Sequence, residues 1–205
     1  MEQELTGGAV SPIYIVIDES SSMKPYGIEA VNGVLPDIHR IIARDPFVAE
    51  RCQVGIISFS DTAEELLPLS NLTNISEIPG CTAKGSPVYS EAFKLLLSVI
   101  SRDVAKFKSH GVSVFRPWVF FITGSNPTDD WEASHRALID KNVNPQAPHI
   151  IAFGVADANP EVISKIGISG AFIAQENVNI FTVFQELLAG LTGMRMSLFR
   201  RLDGA

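Results

Sequence analysis

Asp18, Ser20 and Ser22 stand at steps of two in the run Asp18-Glu19-Ser20-Ser21-Ser22, immediately after an apolar stretch. On a loop, that spacing turns one carboxylate and two hydroxyl oxygens toward a common point while Glu19 and Ser21 point away. Oxygen-only donors of this kind suit a hard cation, Mg2+ above all, with Mn2+ or Ca2+ as substitutes, because such ions take oxygen shells and keep several waters. The plainer use of the same residues is turn and helix-capping chemistry. Catalytic readings fit less well. An aspartate-nucleophile phosphatase wants a second Asp where Ser20 stands, and it wants its lysine after the strand that ends at Thr123, whereas Lys84 precedes it. Lys84-Gly85-Ser86 reverses the Gly-Lys order of a phosphate-binding loop, and no Gly-x-Ser-x-Gly elbow is present. The expectation is a protein that is not an enzyme.

The elements that must carry these residues alternate along the chain. Apolar, β-branched runs at 12–17, 53–59, 117–122, 150–155 and 171–174 read as strands, and 64–69 as a short edge strand. Between them, Ile28 to Ile42 keeps helical spacing, and Pro87 opens a long helix with Ala92, Phe93, Leu96, Leu97, Ile100, Val104 and Phe107 on one side. Further helices are predicted near Asp129, after Asn159-Pro160-Glu161, and from Ile180 to Leu191. Such alternation predicts an α/β chain: a Rossmann-like, doubly wound, mostly parallel six-stranded sheet with helices on both faces and one antiparallel edge strand. One domain over 10–193 accounts for it. The remaining 194–205 form a basic and apolar tail, either a docking segment or a frayed end.

Three segments carry a family resemblance. Ile17-Asp18-Glu19-Ser20-Ser21-Ser22-Met23 resembles the D-x-S-x-S signature of von Willebrand factor A domains, the metal-ion-dependent adhesion site. Gly80-Cys81-Thr82-Ala83-Lys84-Gly85 is similar to the loop that supplies that site's threonine. Arg116 to Thr123 with Asn126-Pro127-Thr128-Asp129-Asp130-Trp131 resembles the TerY-like bacterial branch, whose run is close to R-P-x-V-x-x-L-T-D-G-x-P-T-D. The resemblance implies a metal site of Asp18, Ser20, Ser22 and Thr82 that binds a partner protein through an Asp or Glu carboxylate. It also implies a setting in bacterial tellurium resistance, stress or signalling, with kinase or phosphatase partners. One position departs from the pattern: Gly124 stands where the family has its second aspartate, and Ser125 where it has glycine. Losing that carboxylate removes of order a few kcal/mol of attraction per pair of unit charges at roughly 5 Å and an effective dielectric of about 20. Lys84 is a like charge near the ion, a partial stand-in for it, or a solvated loop lysine. Asp129 and Asp130 either replace the missing carboxylate, or Asp129 caps the following helix with Glu132. The alternative reading is a metal-independent interaction scaffold with a degenerated site.

Composition bounds the rest. The 205 residues carry 16 Lys+Arg against 23 Asp+Glu, a net charge of −7, which argues against a nucleic-acid partner. No run is long and apolar enough to span a bilayer, and the N-terminus lacks the pattern of a secretory signal. Cys52 and Cys81 form at most one bridge, so a reduced, cytoplasmic setting is expected. His39, His110, His135 and His149 lack metal-ligand spacing.

Overall fold

The computed structural model describes residues 8–24, 28–29, 31–33, 35–36, 51–155, 157–174 and 199–201. Its strands are β1 (Ala9–Asp18), β2 (Cys52–Phe59), β3 (Ala63–Ser70), β4 (Ser113–Val114), β5 (Trp118–Thr123), β6 (His149–Gly154), β7 (Gly170–Ala174) and β8 (Phe199–Arg201). Helices α1 (Tyr89–Ser109), α2 (Glu132–Ile139) and α3 (Pro160–Ile166) lie between them. The sheet order is β3-β2-β1-β5-β6-β7-β8, with β4 beside the start of β1. Pairing is parallel except at β2–β3 and β7–β8. The doubly wound, mostly parallel architecture is therefore the expected one. Two short strands, β4 and β8, join the six read from the sequence, and β8 lies within the segment read as a tail. The helix expected at 180–191 falls outside the described residues. Of the one expected at 28–42, the described residues from 28 to 36 are helical.

Why β1 sits in the middle follows from its side chains. Alternation sends Ile13, Ile15 and Ile17 into one hydrophobic cluster with Met23, Val31, Leu35 and Ile56. Tyr14 and Val16 point into the other, against Phe93, Leu96 and Ile100 of α1 and Ile163 and Ile166 of α3. A strand apolar on both faces is stable only when both are covered. From β1 the chain adds β2 and β3 on one side and then returns to place β5 on the other. The strand order thus reverses between β1 and β5, and ligand sites of open α/β sheets lie beyond the carboxyl ends of the strands at such a reversal.

α1 is pinned at two points. Toward its end, the Tyr14 hydroxyl donates to buried Asp103 (2.9 Å), and Arg102 bonds Asp103 (2.8 Å) and forks onto Glu65 of β3 (2.6 and 2.7 Å). Burial, and then the Asp103 charge, push the Tyr14 phenol well above its ordinary range, so it stays a donor. At its start, the Asp129 carboxylate accepts the amides of Tyr89 (2.8 Å) and Ser90 (3.0 Å). This corrects the expectation for Asp129. The following helix begins at Glu132, with Trp131 as its cap and no side-chain cap bond, and Glu132 pairs with Lys165 (2.9 Å) instead. Asp129 satisfies otherwise orphaned donors of a helix some forty positions earlier, and its charge suits the positive end of that helix dipole. Asp129→Ala should therefore cost about 1 kcal/mol, read as a lower urea midpoint at unchanged slope. An unchanged midpoint would show that the cap contributes nothing.

Candidate metal centre

β1 ends on Asp18 and β5 ends on Thr123, neighbouring strands whose tips meet at the reversal point. Asp18 is fully buried, and a buried carboxylate needs donors. It has three. The Ser20 amide donates to Oδ1 (2.8 Å), the Thr123 hydroxyl to Oδ2 (2.6 Å), and the Ser125 hydroxyl to Oδ2 in a very short contact. Ser20 Oγ lies 3.3 Å from Ser125 Oγ and 2.8 Å from Ser22 Oγ. With Ser125 committed to the carboxylate, Ser20 can donate to Ser125 and Ser22 to Ser20, a chain of hydroxyls all directed inward. Such a chain leaves oxygen lone pairs toward its outer end, where Ser22 is exposed.

Tyr89, the first residue of α1, orients this cluster. Its buried hydroxyl lies 2.7 Å from the Ser125 carbonyl, to which it donates, and 2.8 Å from Thr123 Oγ1. Burial chiefly, and the Asp18 and Asp129 charges less, hold the Tyr89 phenol far above its usual range against the lowering effect of its Thr123 bond. Neither Tyr89 nor Thr123 belongs to the site that the sequence motifs delimit. Thr123 stood at a strand end, the one signal that pointed to it, while Tyr89 read only as a helical residue.

Thr82 lies exposed on the loop before α1, and two clamps fix that loop. The Asn32 side-chain amide brackets Cys81, accepting its N–H (2.6 Å) and donating to its carbonyl (2.8 Å). Glu19 holds the other side. One of its oxygens accepts the Thr82 amide (3.3 Å), and the other meets the Lys84 ammonium (3.0 Å). Its backbone carbonyl accepts the Lys84 amide (2.8 Å), and the Gly85 carbonyl accepts the Ser21 amide (3.0 Å). Gly85 adopts φ +63°, which a side chain would resist, and this turn directs its carbonyl back to the Asp18 loop. Buried Cys81 has its thiol pushed up to about 12, first by burial and then by the Glu19 charge, so it remains a thiol. The lysine expected as a solvated or ion-mimicking charge is instead paired to Glu19 and to Glu64 (2.9 Å). Those two partners, Glu64 foremost, raise its ammonium above the usual lysine range.

Gly124 fits its surroundings by lacking a side chain. A Cβ there would come within 2.7 Å of Met23 Sδ and 3.3 Å of Val155 Cγ2. Met23 is fully buried, so the space an aspartate would need is filled by thioether. Asp129, a candidate to replace the missing carboxylate, is spent on α1, and Asp130 is exposed. Among the described residues no group of three His, Cys, Asp or Glu side chains could hold a metal. What stands at the strand tips is a hydroxyl-rich set around a single carboxylate, Asp18, whose hard oxygens fit Mg2+ or Mn2+ better than a soft metal. His135 plays no part there: its Nε2 bonds the Ile166 carbonyl (3.1 Å), and burial lowers its basicity.

The von Willebrand factor type A domain profile matches residues 13–188. No curated protein sequence matches significantly. Among solved structures, proximal thread matrix protein 1 from the mussel byssus superposes with a TM-score of 0.60 at 16% identity, over 89% of this chain and 47% of its own. The same protein with zinc in its metal-ion-dependent adhesion site gives 0.57 at 14% identity, over 90% and 48%. A mutant PilB minor pilin from Streptococcus sanguinis gives 0.60 at 11% identity, over 92% and 63%. This chain spans about half the length of the byssus protein, and at such identities the likeness is one of fold. Among the described residues no helix is long and apolar enough to cross a membrane. With the profile spanning most of the sequence and the strand tips arranged as above, the chain belongs to the von Willebrand factor type A domain family.

Proposed function

We propose that the protein is an interaction module, without catalysis, that engages a partner protein at the carboxyl ends of β1 and β5. The observation that carries this reading is the contiguous run of hydroxyls from Ser22 through Ser20 and Ser125 to the Asp18 carboxylate. Asp18, Ser20, Ser22 and Thr82 are the residues that would hold a divalent cation, Mg2+ first. Such a cation, when bound, supplies an electrophilic position that accepts an Asp or Glu carboxylate from the partner. The resemblance of the Arg116 to Trp131 segment suggests a TerY-like bacterial stress or tellurium-resistance system, with a kinase or phosphatase as partner.

A second reading has its own observation. Met23 filling the space beside Gly124 leaves the site one carboxylate short, as a metal-independent scaffold would be. Calorimetric titration separates the two. Under the metal-bridged reading Mg2+ or Mn2+ binds the wild type, Thr82→Ala weakens it about 10-fold or more, and Asp18→Asn abolishes the heat. Absence of heat with Mg2+, Mn2+ and Ca2+ selects the scaffold. The missing charge is tested by Gly124→Asp combined with Met23→Ala to make room. Attraction of about 3 kcal/mol per pair of unit charges before desolvation should leave the double variant at least several-fold tighter for Mn2+ than Met23→Ala alone. Equal affinities would mean that position 124 does not face the ion.

A further inference from the structure

We infer that Glu19 and Lys84 form an ion-pair latch that positions Thr82 for the site proposed above. The Glu19 carboxylate, only 2% exposed, uses its two oxygens on different targets: the Thr82 amide at 3.3 Å and the Lys84 ammonium at 3.0 Å. A buried carboxylate with a single amide donor would be poorly compensated, and the ammonium completes it. Lys84 also reaches Glu64 on β3 (2.9 Å), so the latch ties three segments together: the Asp18 loop, the Thr82 loop and the edge of the sheet. Glu19 is the residue through which the Thr82 loop meets the loop of Ser20 and Ser22. Asn32 anchors the same loop at Cys81 independently, so releasing Lys84 loosens Thr82 without freeing the whole loop. Both Glu19 and Lys84 are positioning residues.

The inference rests on the metal-bridged reading for its effect on cation affinity, but its geometry is tested without any cation. Electrostatics and positioning predict opposite signs for Lys84→Met. Removing a positive charge near the site, and unpairing Glu19, would by charge alone tighten cation binding. Loss of the latch should weaken it about 10-fold, the scale on which partners behind a ligand act. In the metal-free full chain, amide hydrogen exchange at Thr82 and Lys84 should quicken about 10-fold in Lys84→Met and return to wild-type rates in Lys84→Arg, which keeps the ion pair. Unchanged exchange in Lys84→Met overturns the latch whether or not the wild type binds a cation. If the wild type binds Mn2+, affinity in Lys84→Met that is equal or tighter overturns it too, while weaker binding rescued by Lys84→Arg supports it. Failure of the metal-bridged reading is recognised separately, by the wild type giving no heat.

Discussion

A charge placed where no water reaches must be answered by the protein, and the end of this sheet is organised around one such charge. Asp18 closes the central strand and is completely enclosed. An uncompensated carboxylate there would be untenable, so its neighbours are recruited by necessity. The donors come from its own loop, from the tip of β5 and from the residue two beyond it. Thr123 and Ser125 are in turn held by Tyr89, which begins α1, and the start of α1 is held by Asp129. Each link is a polar group that would be costly to strand. Together they fix the relative positions of β1, β5 and α1 where the strand order reverses.

The same logic governs which charges remain available to a ligand. Glu19 is buried beside Asp18 in sequence, but its charge is neutralised by Lys84. Asp129 is spent on helix amides, and Gly124 contributes none. Of these positions, Asp18 alone keeps a carboxylate for a divalent ion, beside the neutral hydroxyls of Ser20, Ser22 and Ser125. Such a set leaves most of the ion's charge to be met by water or by an anionic group from outside. Affinity for the cation and affinity for an acidic partner are in that case physically coupled, since each lowers the electrostatic cost of the other.

Much of this was legible in the chain because it is local. The strands announced themselves by unbroken β-branched runs, and Asp18, Ser20 and Ser22 by their spacing. What stayed hidden depends on contacts between distant positions. Thr123 meets Asp18 across 105 residues, and Tyr89 meets Thr123 across 34. Asp129 shows the difficulty most clearly: its sequence neighbourhood resembles a capping box for the next helix, and local chemistry alone cannot tell that α1, folded back beside it, competes for the same oxygens. Nor does the spacing around Asp18 reveal what Glu19 binds, because its partner Lys84 lies on a loop 65 positions on. β4, two residues long, is too short for periodicity to reveal.

The antiparallel strand β3 has a bearing on how this molecule meets others. Among the described residues it forms the outer border of the sheet on that side, and an open border is a template for strand addition between molecules. Here the border includes exposed Pro68, which has no amide proton to extend a ladder, and the carboxylates Glu64 and Glu65, which are engaged by Lys84 and Arg102. The lateral route to self-association is thereby blunted, and one of the two ion pairs, Lys84–Glu64, also ties this border to the loop that follows Cys81 at the strand tips. Colloidal restraint and site geometry are maintained by the same side chains.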